Sequence, residues 1–222
     1  MMNNLFSTFD PATSNMFSMN WTSTMISLII MPMPYWMLSN RLSSMINLTI
    51  NKLHNEFKLL MNNTKGMTIM SLTLFMFILI NNLIGLLPYI FTSSSHLTFT
   101  MTMALPLWIS FMMFGWINHT NHMFAHLVPM GTPMMLMPFM VLIESISNLI
   151  RPGSLAVRLT ANMIAGHMLM SLLGNNSINS NNISLMLILA IQVMLMLFET
   201  AVALIQAYVF SMLSTLYASE VM

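Results

Sequence analysis

The sequence contains no cysteine, and only 5% of its 222 residues are charged. The lack of cysteine excludes disulfides, thiolate metal sites and cysteine nucleophiles. Six basic and five acidic side chains are too few for a soluble domain of this size, because soluble domains carry about 25% charged residues. With 57% hydrophobic residues, the chain has the composition of a polytopic membrane protein. The net charge of +1 offers no basic surface for nucleic acid.

Several signals of other protein classes are also missing. There is no glycine- and lysine-containing phosphate loop, so we expect no nucleotide site, no cofactor and no catalytic site in this chain itself. The first ten residues have no basic region before an apolar run, so no cleaved signal is evident. The absence of an internal repeat argues against a transporter built from paired repeats.

Methionine, in contrast, occurs 31 times. Clustered methionines can bind copper, and the candidates for such a site are Met134, Met135, Met137 and Met140. However, methionine is spread through every hydrophobic segment, as is typical of interchangeable lipid-facing residues. We therefore favour biased codon usage in an AT-rich organellar genome over a metal site.

The hydrophobic pattern predicts an all-α polytopic membrane protein that forms a single membrane domain over residues 1–222. The six hydrophobic segments cover residues 16–38, 66–89, 96–117, 134–150, 154–173 and 183–218. We expect about three ordinary transmembrane helices, of which the first spans 16–38 and the other two form a pair over 66–118. An amphipathic surface helix over 41–62 and a C-terminal hairpin over 134–222 complete the prediction.

The hairpin is predicted from the length of its segments. The last one has about 36 residues, which corresponds to about 54 Å of helix and exceeds a hydrocarbon core of about 30 Å. Arg151-Pro152-Gly153 joins the fourth and fifth segments without a polar loop, so the two can form one kinked helix. The polar stretch 174–182 predicts the turn. We therefore expect two long, strongly tilted helices.

Four of the six basic residues lie between the first two spans, namely Arg41, Lys52, Lys58 and Lys65. Positive charge marks the cytoplasm-equivalent side, so the N-terminus is expected outside and the C-terminus inside. Between these charges, apolar residues recur at helical spacing and predict a helix that lies on the membrane face. The apolar residues are Leu42, Met45, Ile46, Leu53, Phe57, Leu60 and Met61.

Ionisable residues within membrane segments are concentrated in the hairpin, where each is a functional candidate because it is costly to bury. In an antiparallel hairpin, facing residues have a constant sum of residue numbers. On this basis three facing pairs are predicted: His167/Glu199 nearest the turn, Arg158/Gln206 in the middle and Glu144/Glu220 at the inner mouth. Asn162 shares the face of Arg158 at i+4.

This layout suits proton movement, since imidazole and carboxylate groups relay protons near neutral pH. The guanidinium of Arg158 cannot release its proton. It can act as a fixed positive barrier or bind a carboxylate across the hairpin or on another subunit. Purely structural alternatives stay open: an arginine paired for packing, a buried His167–Glu199 pair, and an interfacial location for Glu144 and Glu220.

Small residues surround the central polar level, and they are Ala156, Ala161, Ala165, Gly166, Ala201, Ala203 and Ala207. Small residues allow helices to approach closely within a membrane. They would also form a smooth surface along which another helix could slide. We favour the sliding surface, because the small residues accompany the one central charge.

The stretch Arg158-Leu-Thr-Ala-Asn-Met-Ile-Ala-Gly-His167 resembles the arginine motif of the F-type ATP synthase subunit a family. Residues 147–157 precede it as in animal mitochondrial members, and residues 199–210 resemble the last helix of the family. The ends of the chain, 1–11 and 213–217, are similar to insect or related arthropod members, as are 115–119 and 126–129. The resemblance covers essentially the whole chain.

The resemblance implies a proton-translocating stator subunit with two aqueous half-channels that face a rotating ring of c subunits. Protons would pass His167 and Glu199 from the intermembrane space and leave past Glu144 and Glu220 to the matrix. Arg158 would attract the ionised ring carboxylate and block a direct leak, with Asn162 and Gln206 beside it. The implied partners are the c-ring proteolipids, other membrane and peripheral-stalk subunits and the bilayer of the mitochondrial inner membrane. ATP chemistry would take place in partner subunits.

Other functions have less support in the sequence. The histidines His119, His122 and His126 lie between the third and fourth segments, and the last two have the i, i+4 spacing of a zinc pair. No acidic residue lies nearby, which favours exposed or packing histidines. A proton-coupled secondary transporter would need a substrate site at broken helices. A scaffold subunit of a respiratory complex would not need Arg158, His167 and Glu199 in register.

Overall fold

The computed structural model describes residues 5–14, 17–32, 38–61, 66–128, 131–178 and 180–221. Within these ranges the regular structure is entirely helical, which confirms the predicted all-α fold. The α-helices are α1 (Ser23–Ile30), α2 (Arg41–Leu60), α3 (Met67–Gly85), α4 (Leu97–Asn118), α5 (Thr120–His126), α6 (Met137–Ile178) and α7 (Asn182–Val221). Short 3-10 turns cover Leu5–Phe9, Met19–Thr22, Ser93–Ser95 and Met134–Leu136.

Four of these helices, α3, α4, α6 and α7, are long and apolar enough to cross a membrane. With 42 and 40 residues, α6 and α7 measure about 63 Å and about 60 Å. Both exceed the hydrocarbon thickness of about 30 Å, so they must tilt or extend beyond it. The predicted pair of long helices is therefore confirmed, and Pro152 lies inside the single helix α6.

The turn between α6 and α7 is shorter than the predicted loop over 174–182. α6 continues through Gly174 to Ile178, and the Ser177 hydroxyl donates a hydrogen bond to the Gly174 carbonyl at 2.7 Å. Residue 179 lies outside the described residues, and α7 begins at Asn182. Glycine and asparagine weaken a helix by only about 1 kcal/mol, which tertiary contacts can offset.

The first predicted span also differs. Of residues 16–38, only Ser23–Ile30 form an α-helix, while residues 16 and 33–37 lie outside the described residues. Eight residues give about 12 Å of helix, which is too short to cross the bilayer. Pro32 has no amide hydrogen and disfavours the helical conformation of the residue before it, so α1 ends two residues before Pro32.

The hairpin packs along the two ordinary membrane helices, with α7 against α3 and α6 against α4. Ala156, Ala203 and Ala207 are completely buried at these contacts. Our expectation of a sliding surface is therefore wrong for these three residues, because their small size serves close helix packing. Ala161, Ala165 and Ala201 are exposed. The buried apolar core is formed by Met61, Phe75, Met76, Ile78, Ala104, Leu107, Phe111, Leu155, Ala156, Leu159, Ala207, Phe210, Ala218 and Val221.

Helix α2 covers nearly all of the predicted surface helix, whose residue 62 is outside the described part. Ile46 and Leu53 pack against this core, and Phe57 is fully buried. Leu42 and Met45, which we expected on the same apolar face, are exposed. The helix is thus fixed to the bundle by only part of its predicted apolar face.

The bundle has two ends, which we name by the hairpin. The turn end carries the α6–α7 turn, the N-terminal turn Leu5–Phe9 and the segment between α3 and α4, which contacts α6 through Ser93–Ser95. The C-terminal end carries the end of α7, where Val221 lies against Gly115 near the end of α4.

Candidate functional site

A cavity of about 790 Å³ opens at the turn end, and we call it the turn-end cavity. Four parts of the chain line it: the N-terminal segment, the end of α3 with its following loop, α6 and α7. Its polar lining residues include Ser7, Thr8, Asp10, Asn20, Thr92, His167, Ser171, Gln192 and Glu199. Such a roomy, polar space meets the conditions for holding water.

His167 and Glu199 lie together at the inner wall of this cavity. Glu199 approaches Gly166 so closely that a Cβ atom on residue 166 would lie 2.8 Å from the Glu199 Oε1. His167 Nε2 and Glu199 Oε1 are both buried, and neither has a hydrogen-bond partner among the described residues. The His167 and Glu199 side chains therefore lie at the same level of the hairpin, but they do not form a hydrogen-bonded structural pair with each other.

The aromatic ring of Phe9 meets the imidazole of His167 edge-on, with ring centres 6.4 Å apart. This contact brings the N-terminal 3-10 turn onto α6. Asp10 follows directly and lines the cavity. Its carboxylate accepts a hydrogen bond from the Ala12 amide at 3.1 Å, which holds the local turn. No local sequence pattern predicts this contact, because it depends on how the N-terminal segment packs against α6.

A second space, the central cavity, has a volume of about 390 Å³ and lies between α6 and α7. Asn162 and Gln206 line it, together with apolar residues such as Phe198 and Val202. His167 and Glu199 line this cavity as well as the turn-end cavity. The two ionisable groups thus form the boundary between a polar space at the turn end and the middle of the hairpin.

Arg158 lies on α6, one helical turn before Asn162, and both side chains are on the surface of the bundle. Within the described part of the chain, Arg158 forms no ion pair and no side-chain hydrogen bond. The described residues therefore do not provide the partner across the hairpin that we had considered. A guanidinium that is exposed on an apolar helix surface is costly within a membrane unless it is paired.

Glu144 and Glu220 meet through a third residue, Arg151. Its guanidinium donates to Glu220 Oε2 at 2.6 Å and to Glu144 Oε1 at 3.3 Å. The three facing pairs predicted from the sequence place the two glutamates at one level but do not include Arg151. The signal that could have identified it is the spacing of Glu144 and Arg151, which at i, i+7 lie on the same face of a helix.

Two asparagines on α3 are not among the residues predicted for the site. Asn81 and Asn82 are buried, and Asn82 Nδ2 donates to the Ala203 carbonyl of α7 at 3.5 Å. Asn81 Nδ2 and Asn82 Oδ1 have no partner among the described residues. Two adjacent amides in an apolar span were a visible signal, since uncharged polar residues in membranes join helices.

The candidate zinc histidines are exposed and lie at the end of α4 and on α5. The rings of His122 and His126 are 6.4 Å apart. In the portions of the chain that the structure covers, no three or more histidine, aspartate or glutamate side chains come together as a metal site would require. The candidate copper residues Met134 and Met135 are almost fully exposed.

Comparison with known proteins agrees with these features. Residues 15–219 match the family described as ATP synthase A chain. The chain is 59% identical over 225 residues to ATP synthase subunit a of Aedes aegypti and 57% identical over 223 residues to that of Drosophila melanogaster. It is 59% identical over 226 residues to that of Locusta migratoria. Each comparison covers 100% of both chains, and all three relatives are insect proteins. The chain therefore belongs to the family of ATP synthase subunit a, the proton-translocating stator subunit, as the sequence resemblance implied.

Proposed function

We propose that this chain passes protons through two half-channels that meet a rotating ring of proteolipid subunits at Arg158. One observation carries the proposal: Arg158 is exposed on the hairpin surface without a partner in the described chain, while the neighbouring polar residues line a cavity. A carboxylate on a ring subunit would supply the missing counter-charge. Membership in the ATP synthase complex follows from the family, and contact with the ring is part of the proposal.

The uptake half-channel runs through the turn-end cavity. Water in this cavity would deliver protons to His167 and Glu199, whose partnerless polar atoms are available for hydrogen bonds to water. From there, protons pass into the central cavity and reach the ring beside Asn162 and Gln206. The carboxylate and the imidazole act as relays because each can both bind and release a proton.

Arg158 separates uptake from release. Its guanidinium stays protonated in proteins, so it cannot carry a proton between the half-channels. It attracts an ionised ring carboxylate and repels the transfer of a positive charge across its position. A protonated, neutral carboxylate can instead turn away into lipid, so the ring moves through the bilayer before it releases its proton.

The release half-channel opens at the C-terminal end, at Glu144 and Glu220. Both carboxylates are partly exposed there, which allows exchange with water.

A charge that crosses 100 mV gains about 2.3 kcal/mol, so several protons are needed for each ATP. The synthesis itself takes place on partner subunits.

We place the chain in the mitochondrial inner membrane, with the turn end toward the intermembrane space and the C-terminal end toward the matrix. The basic residues Arg41, Lys52 and Lys58 on α2 support this orientation, because positive charge is retained on the matrix-equivalent side. Further membrane and peripheral-stalk subunits would cover other parts of the surface.

Cysteine cross-linking tests the contact with the ring, and the natural lack of cysteine makes it specific. We expect Ala161→Cys, beside Arg158, to cross-link to a cysteine placed one turn from the ring carboxylate in the assembled complex. Ile109→Cys is the control, because this residue is also exposed but lies on α4. Equal cross-linking of both variants, or of neither, would reject the proposed docking face.

A further inference from the structure

A single cation holds two carboxylates together where α7 ends against α6. The guanidinium of Arg151 binds Glu220 and Glu144, and its Cζ lies 5.1 Å from the centre of the Tyr217 ring. A cation over an aromatic face is stabilised by the ring quadrupole. Among the residues that the structure describes, these are the only ion pairs. Three side chains, those of Glu220, Glu144 and Tyr217, thus hold the guanidinium.

The cluster has an uneven charge balance. The guanidinium remains protonated, so two ionised carboxylates leave a net charge of −1. One added proton makes the cluster neutral, and a second would leave the cation unopposed. The cluster is therefore suited to hold one exchangeable proton at a time.

Its surroundings permit exchange with water. The side chain of Arg151 is 22% exposed, and those of Glu144 and Glu220 are 26% and 39% exposed. Asn148 lies between Glu144 and Arg151 on the same face of α6, and its Oδ1 is buried without a partner among the described residues. A water molecule bound to this oxygen would have its other hydrogen bonds free for the cluster.

We propose that Arg151 is a positioning residue for proton release, which holds Glu144 and Glu220 as one proton-exchanging unit at the mouth of the release half-channel. The proposal rests on the proposed function of these two glutamates. Without the guanidinium, the two carboxylates would repel each other. The end of α7 would also lose its only ion pair to α6 within the described chain, so Glu220 would move away from Glu144.

The test measures ATP synthesis driven by an imposed proton gradient, with the intact complex reconstituted in liposomes. We expect Arg151→Gln to lower the initial rate about tenfold, which is less than the effect of about a hundredfold or more that loss of a positioned proton-transfer group can have. Arg151→Lys keeps the charge but cannot bind both carboxylates with a planar fork, so an intermediate rate is expected. Arg41→Gln removes an exposed arginine outside the cluster and should leave the rate unchanged.

A double substitution separates positioning from general stability. Because Arg151 is proposed to act by holding Glu220 beside Glu144, we expect Arg151→Gln to have little further effect in a Glu220→Gln background. If Arg151→Gln and Glu220→Gln each lower the rate by an independent factor, so that the two factors multiply in the double variant, the proposal is overturned.

Assembly and the wider function are controlled separately. Native-gel amounts of the complex should match those of the parent. If the complex that carries Arg151→Gln does not assemble, the rate of the Arg151→Lys variant is the test of the proposal. A parental rate in Arg151→Lys would then overturn it. If Arg158→Ala abolishes coupling while Arg151→Gln keeps the parental rate, only the role of Arg151 is rejected. If Arg158→Ala keeps coupling, the proposed function itself fails.

Discussion

Gly166 on α6 lies directly against Glu199 on α7, so close that a methyl group on residue 166 would lie 2.8 Å from the carboxylate oxygen Oε1. The missing side chain is what allows the carboxylate to reach the boundary between the two cavities. Real Cβ atoms essentially never approach another atom so closely, so any larger residue must displace the end of the Glu199 side chain.

We therefore predict that Gly166→Ala slows proton uptake by shifting the Glu199 carboxylate. A displacement of about 1 Å can reduce the rate of a positioned reaction up to about a hundredfold, and we expect a loss of several-fold in gradient-driven ATP synthesis. Gly174→Ala is the matched control, because a Cβ there meets nothing within 4 Å. If both variants reach the parental rate, the placement of Glu199 is not important for uptake.

A second prediction concerns the Glu199 carboxylate itself. Glu199→Gln keeps the size of the side chain but removes its capacity to carry a proton, so we expect ATP synthesis to fall about a hundredfold or more. Glu56→Gln, on the surface helix α2, removes a carboxylate outside both cavities and should have no such effect. Measured by gradient-driven synthesis in the same vesicles, equal rates for the two variants would reduce Glu199 to a structural residue.

A third prediction concerns water access and orientation. We expect Gln192→Cys in the turn-end cavity to react with a membrane-impermeant thiol reagent added on the intermembrane side, but not on the matrix side. Leu107→Cys should remain unlabelled from both sides, because Leu107 is buried in the core between the helices. The natural absence of cysteine keeps the background low. Labelling of Gln192→Cys only from the matrix side would contradict the proposed orientation.

Much of the fold was predictable because length and hydrophobicity are strong signals in membranes. The long hairpin followed from the length of its hydrophobic segments and from the lack of a polar loop at Pro152. The exact turn was not predictable, because the asparagine-rich stretch after Gly174 only weakly opposes a helix and neighbouring contacts decide where it ends. The exposed side of α2 likewise depends on tertiary packing, whereas the end of α1 follows from the local effect of Pro32.

The candidate site was predictable where polar residues stand out in an apolar background. The register arithmetic gave His167 and Glu199 a common level, and the structure has them at the wall of the same cavity. The i, i+7 spacing places Glu144 and Arg151 on one face of α6, but the contact of Arg151 with Glu220 was not predictable because it depends on the reach of the side chains. The N-terminal turn with Phe9 was also not predictable, since no local pattern indicates where such a turn will pack.

In the proposed function, Arg158 couples ring movement to proton passage. The most direct test is gradient-driven ATP synthesis by the assembled complex that carries Arg158→Ala, with Arg41→Ala as the control for loss of an exposed arginine. We predict no detectable coupled synthesis in Arg158→Ala, with parental amounts of complex on native gels and a parental rate in Arg41→Ala. Coupled synthesis at the parental rate in Arg158→Ala would contradict the account.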